Sequence, residues 1–172
     1  MEKLDSFYQY FDNNNYTEAI RDLRQMPLIK EDKAWIYGKL SECYYELRRY
    51  KLGVRYGKKS LEFQKKYPLA LWFLANSYFY LKDFNNSIKT FQTILKMKES
   101  DIGKKETQMG LKWAQSLKLD CHLCMAICYY GLYKDKKVRD CFNNFYALKK
   151  KRYKSSLEKT YLKKWTSVLK KV

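Results

Sequence analysis

The sequence predicts an all-α fold, a helical solenoid of about four antiparallel helix pairs, and three observations carry that prediction. Apolar residues recur at helical spacing: Leu71, Leu74, Ala75 and Tyr78 fall at i, i+3, i+4 and i+7, which places them on one helix face. The next apolar run, with Phe84, Ser87, Phe91, Ile94 and Leu95, follows after only Lys82-Asp83, so the two helices join through a tight turn as an αα-hairpin. Tyr16, Tyr50 and Phe84 are aromatics at the turn into a second helix. They lie about 34 residues apart, a solenoid period.

Taken in order, the first pair spans about 2–26. Helices over Glu2–Phe11 and Tyr16–Gln25 flank Asp12-Asn13-Asn14-Asn15, residues that tolerate left-handed backbone, and Pro27 closes the pair. The second spans about 33–66, with helices over 33–47 and 50–65. Gly53 and Gly57 in its second helix should cost roughly 1 kcal/mol each against alanine. The third spans 69–98, and Pro68 opens it at a position where a missing amide hydrogen does no harm. Residues 99–118 form an insertion, expected as either an extra helix or a long extension leading into 119–132. Ser100 or Asp101 is its candidate cap, and Gly103 and Gly110 weaken it. The fourth pair, about 119–149, keeps the register through Met125, Ala126, Tyr129, Val138, Phe142 and Phe145 once about 17 residues are added to the period. A capping helix over 155–171 is expected from the Ser155/Glu158 capping box and the stripe Leu157, Tyr161, Leu162, Trp165, Val168 and Leu169. By length all of this is one domain, residues 1–172.

Here the chain resembles the tetratricopeptide repeat (TPR) superfamily. Leu71, Leu74, Ala75, Tyr78, Phe84, Ser87 and Phe91 match the repeat pattern by type, and Ser41 with Tyr44 repeats the small-then-aromatic pair of Ala75 with Tyr78. The second copy departs at Gly57 and the fourth at Asp135, where aromatics are expected. The resemblance implies a right-handed solenoid whose leading helices line a concave, partner-binding groove. Carried over residue by residue, that groove presents Tyr8, Phe11 and Asp12, then Trp35, Glu42, Tyr45 and Glu46, then Trp72, Asn76, Phe79 and Tyr80, and lastly Leu123 and Tyr130. Aromatics with polar tips are enriched at binding hot spots. The competing reading is that several are buried against other elements. The stretch over 103–132 is also similar to segments of small bacterial TPR proteins that act as immunity partners of secreted toxins. That implies a cognate toxin as the most specific partner and neutralisation by direct binding as the function. An adaptor or scaffold in a cytosolic complex is the broader alternative.

Composition narrows the classes. The apolar fraction of 46% suffices for a core. No run of apolar residues is long enough to span a membrane, and MEKLDSFYQYFDNNN lacks a basic start followed by an apolar stretch, so a cytoplasmic protein is expected. Five cysteines, an odd number, fit reduced thiols better than a disulfide framework. Cys121, Cys124 and Cys128 with His122 and Cys141 resemble a zinc set in composition. Their place inside a helical pattern favours small core hydrophobes instead, so neither metal nor cofactor is expected. Glycine-rich phosphate loops, paired-histidine motifs and Ser-His-Asp sets are absent from the sequence, which argues against an enzyme.

Charge is the outlying property. The formal net charge is +18, beyond what solubility asks of a small domain, and such an excess points to an acidic partner or to well-solvated helix faces. From Lys134 to Val172 there are about 14 Lys or Arg against 3 Asp or Glu. A second basic cluster comprises Arg48, Arg49, Lys51, Arg55, Lys58 and Lys59. Within the C-terminal block Lys149, Lys150, Lys151, Arg152 and Lys154 surround Tyr153, a pattern able to neutralise phosphates and stack a base. RNA or DNA binding is therefore the alternative to a protein partner.

Overall fold

The computed structural model describes residues 2–27, 32–103, 110–151, 154, 155 and 157. The described residues are all-α, without strands. The helices are α1 (Glu2–Asp12), α2 (Tyr16–Gln25), α3 (Lys33–Glu46), α4 (Tyr50–Phe63), α5 (Pro68–Tyr80), α6 (Phe84–Leu95), α7 (Glu99–Ile102), α8 (Gly110–Gly131) and α9 (Asp135–Lys150). They fall into two compact units, residues 1–83 with α1–α5 and residues 84–172 with α6–α9.

In the first unit α1 packs on α2, α2 on α3, α3 on α4, and α5 on both α3 and α4. α1, α2 and α4 are amphipathic and supply one stripe each to the core, whereas α3 and α5 are buried around most of their circumference. Phe7, Ala19, Leu23, Ile36, Leu40, Cys43 and Tyr44 form one buried cluster, and Tyr67, Leu69, Ala70 and Phe73 another. A fully buried Phe such as Phe7 contributes about 1.5–3 kcal/mol relative to exposure. Two serines tie α3 to α4 through backbone carbonyls: Ser41 Oγ donates to Gly53 O at 2.8 Å and Ser60 Oγ to Ala34 O at 2.6 Å.

The glycines of α4 have a role that propensity alone does not reveal. A Cβ on Gly53 would stand 2.5 Å from Ser77 Oγ, and one on Gly57 would stand 3.0 Å from Leu74 Cβ and 3.1 Å from Ser41 Oγ. Glycine lowers the intrinsic helicity of α4 but permits α3, α4 and α5 to approach this closely.

The turns follow one geometry. Asn14, Arg48 and Lys82, 34 residues apart, each adopt a left-handed backbone with φ of 57°, 57° and 60°, and Tyr133 repeats it at 55°. At each turn the left-handed residue donates its N–H to the carbonyl three back, and the next residue donates to the carbonyl five back. Thus Arg48 N–H reaches Tyr45 O at 2.8 Å and Arg49 N–H reaches Tyr44 O at 2.8 Å, and Tyr133 and Lys134 bond Tyr130 O and Tyr129 O at 3.0 Å. This is the Schellman ending of a helix, normally built with glycine at the left-handed position.

In the second unit α6, α7 and α9 each pack on α8. Phe91, Ile94, Ile102, Leu117, Leu119, Val138 and Phe145 are buried there. The described residues of the expected insertion belong to the one-turn α7, Gly103 and the front of α8. Because α8 runs unbroken over 22 residues from Gly110, the expected boundary between insertion and fourth pair at residue 119 falls inside a continuous helix. The buried carboxylate of Asp120 on α8 accepts hydrogen bonds from the Ser155 hydroxyl and, at 3.4 Å, from Leu157 N–H, which ties these two residues to α8. Ser155 Oγ also accepts from Leu157 N–H at 3.1 Å. Glu158 and the expected capping helix over 155–171 lie outside the described residues apart from Ser155 and Leu157.

Candidate functional site

The expected groove residues of the first unit come from α1, α3 and α5. Tyr8 is 37% exposed, and its ring lies 5.1 Å from Phe7 and 6.3 Å from Trp35. Trp35, half-buried, meets Phe7 edge-on at 5.5 Å. Phe11 packs on Phe7 at 5.4 Å and Tyr16 at 5.6 Å, and carries the Lys39 ammonium 4.4 Å from its ring centre. Asp12 is exposed at the C-terminus of α1. A second aromatic group forms around Tyr45, which touches Tyr50 at 5.9 Å, Phe73 at 5.4 Å and Tyr80 at 5.8 Å. Phe79 is half-buried and meets Tyr80 edge-on at 5.2 Å; Trp72, also half-buried, packs against the cluster of Tyr67, Leu69, Ala70 and Phe73.

Two residues assigned to the groove are placed differently. Asn76 is 5% exposed and donates Nδ2–H to Trp72 O of its own helix at 2.9 Å, so its amide serves α5 itself. Leu123 in the second unit is 2% exposed and belongs to the core of α8, whereas Tyr130 is 43% exposed.

The two glutamates do not make this region simply acidic. Glu42 is nearly buried, at 12% side-chain exposure, and is paired to Lys39 Nζ at 2.9 Å. Burial pushes its carboxyl above the usual range, Lys39 opposes that shift, and Glu46 adds to it. Glu46 is exposed and is raised by partial desolvation alone. Lys39 and Tyr67 are the members that sequence reasoning missed. Burial first, then the charge of Glu42, raises the phenol of Tyr67, and Gly38 leaves room for its ring, since a Cβ there would meet Tyr67 Cε1 at 2.7 Å. Lys39 was recoverable from its i,i+3 spacing to Glu42.

The cysteine cluster sits in the second unit. Cys121, Cys124 and Cys128 are buried along α8 and Cys141 along α9. Burial lifts the Cys121 and Cys124 thiols well above their ordinary value, and Cys128 to about 11 despite a 3.5 Å hydrogen bond to Ser87 Oγ. Protonated thiols of this kind are poor nucleophiles and poor ligands. Among the described residues no three His, Cys, Asp or Glu side chains are placed to hold a metal ion. His122, Met125 and Tyr129 of α8 line a cleft of about 520 Å³ with Lys137, Asp140 and Cys141 of α9. The buried Nδ1 of His122 has no hydrogen-bond partner, and desolvation followed by Lys118 lowers its pKa to about 4.

Of the C-terminal basic residues, Lys149, Lys150, Lys151 and Lys154 are exposed; Arg152 lies outside the described residues. Lys149 and Lys150 occupy the last turn of α9, where cations favourably meet the negative end of the helix dipole.

No protein-family model matches the chain, and no curated protein matches it.

Proposed function

We propose that this chain is a non-catalytic protein-binding module built from TPR-like helix pairs of a right-handed solenoid, acting in the cytoplasm without a cofactor. The observation that carries the reading is the set of incompletely buried aromatics on three leading helices of one unit: Tyr8 and Phe11 on α1, Trp35 and Tyr45 on α3, and Trp72, Phe79 and Tyr80 on α5. Aromatics held rigid by neighbours yet partly open offer contact area at little conformational cost. The recurrence of one left-handed turn at Asn14, Arg48, Lys82 and Tyr133 supports the repeat reading. The most specific form of the proposal is an immunity protein that occupies a cognate toxin; adaptor or scaffold is the broader form.

A second reading, RNA or DNA binding, is favoured by the exposed lysines at the end of α9. One comparison separates the two: pull-down from lysate with and without nuclease, using Trp72→Ala/Phe79→Ala and a variant neutralised at Lys149, Lys150, Lys151 and Arg152. Loss of a nuclease-resistant protein partner with the aromatic variant is the expected result. Loss only with the neutralised variant, together with affinity for RNA that falls steeply with salt, transfers the function to the basic segment.

A further inference from the structure

Where α2 meets the turn between α3 and α4, the first unit holds a cleft of about 440 Å³. Its apolar lining is Ile20, Leu47 and Leu52, and Arg24 and Arg49 are among its polar residues. A third arginine, Arg21, is already neutralised by Glu18 at 2.6 Å and approached by Asp22 at 3.9 Å. Arg24 and Arg49 differ from it, because neither has a carboxylate within ion-pairing distance among the described residues. Arg24 is nevertheless held in place. Its Nη2–H donates to Tyr44 Oη at 2.7 Å, a neutral acceptor that orients the guanidinium without cancelling its charge.

The backbone beside these arginines also favours an anion. Arg49 is the N-cap residue of the 14-residue α4, and its side chain makes no capping hydrogen bond. At the matching position of α2, Asn15 does cap, its Oδ1 accepting from Glu18 N–H. Arg49 thus stands at the positive end of α4 and lines the cleft together with Arg24, so the helix dipole adds to the cationic character of this end of the cleft.

We infer that this cleft is a binding site for a small organic phosphate monoester, the phosphate taken by Arg24 and Arg49 and the organic body laid on Ile20, Leu47 and Leu52. Charge selects the monoester, since it carries about −1.5 to −2 at neutral pH, enough for two guanidiniums, whereas a carboxylate matches only one. Guanidinium geometry suits phosphate oxygens, and the volume lies within the range of small-molecule sites. This site is independent of the aromatic residues proposed above for a protein partner.

The test is calorimetric titration of the full chain with phenyl phosphate, inorganic phosphate and benzoate. Phenyl phosphate should bind one to one and more tightly than either comparator. Arg49→Gln, an exposed change whose helicity is checked by circular dichroism, should weaken it at least about tenfold, the loss typical of a charge-assisted contact. Arg24→Gln should do the same, and Lys149→Gln/Lys150→Gln/Lys151→Gln should leave it unchanged. The assignment is overturned by an absence of saturable binding or by inorganic phosphate binding as tightly as phenyl phosphate. It is equally overturned if a folded Arg49→Gln binds like the parent, or if the lysine variant weakens binding as much as Arg49→Gln does.

Discussion

The ring of Tyr50 lies parallel to that of Tyr80, with centroids 4.8 Å apart and 7° between the planes. Tyr50 opens α4 and Tyr80 closes α5, so the pair fastens the entry of one helix to the exit of the next. Burial raises the Tyr50 phenol, with Tyr80 adding to the effect. A double-mutant cycle of Tyr50→Ala and Tyr80→Ala, read by urea denaturation, should show favourable coupling of about 0.5–1.5 kcal/mol, the usual excess of an aromatic pair over its buried area. Additive losses would mean that the rings are neighbours without mutual stabilisation.

Gly53 against Ser77 makes a sharper test, because helix propensity and packing predict opposite signs. Propensity favours Gly53→Ala by about 1 kcal/mol. Packing opposes it, since the new methyl would sit 2.5 Å from Ser77 Oγ, and overpacking typically costs about 1–3 kcal/mol. We expect net destabilisation. Ser77 Oγ is itself buried without a hydrogen-bond partner, so Ser77→Ala should be neutral or stabilising by up to about 1 kcal/mol. Combining the two should restore at least the parent stability in equilibrium unfolding.

Left-handed turns give a prediction of the other kind. Tyr133 is 94% exposed at φ 55°, and Lys82 is exposed at φ 60°. Neither residue type favours that backbone, which costs a non-glycine residue about 1 kcal/mol. Tyr133→Gly and Lys82→Gly should each raise the unfolding free energy by roughly that amount. A loss at either position would show that its side chain contributes more than its backbone strain removes.

His122 sets a pH dependence. Its pKa is lowered from 6.5 to about 4, so between those values the unfolded chain takes up a proton that the folded chain does not. Its contribution is complete above about pH 6.5 and is lost as pH falls towards 4. Because solvent reaches part of the ring and screens the effect, the stability difference between the parent and His122→Gln should shift against the parent by about 2 kcal/mol from pH 7.5 to pH 4. A difference that stays flat over this window would place the imidazole in water.

Thiol chemistry checks the cysteine cluster separately. Cys43 and Cys141 are pushed up to about 12 by burial, and the remaining thiols are raised as well. At pH 8 all five should react with a disulfide reagent at least about a hundredfold more slowly in the native protein than in the denatured one. One fast native thiol would identify an open, activated cysteine.

The helices were legible because their apolar residues repeat with helical period, and turns are forced wherever two faces follow within a few residues. What was illegible depends on neighbours distant in sequence. Asn76 and Leu123 share a spacing with exposed aromatics, and only the packing around them decides that they are buried. Glu42 looked like an acidic lining residue, yet Lys39 one turn earlier neutralises it, a pairing visible in the spacing but not its burial. At the turns, Asn14 signals left-handed backbone by its own chemistry, whereas Arg48, Lys82 and Tyr133 give no local sign of it. Gly110 is expected to weaken a helix over the insertion, yet it stands at the first residue of α8, where its φ of 70° costs glycine little.

Gly53 and Gly57 stand inside α4, where helix formers are the rule, and Arg48, Lys82 and Tyr133 stand at left-handed turns, where glycine is the rule. Every missense change at a glycine codon introduces a Cβ, so codon 53 has no conservative neighbour and changes most easily alongside a compensating partner such as residue 77. Codons 82 and 133 are free of that constraint. A saturation library selected for folding should therefore be depleted of almost all replacements at 53 while enriching glycine at 82 and 133, so that tolerance to substitution at these positions runs opposite to helix propensity.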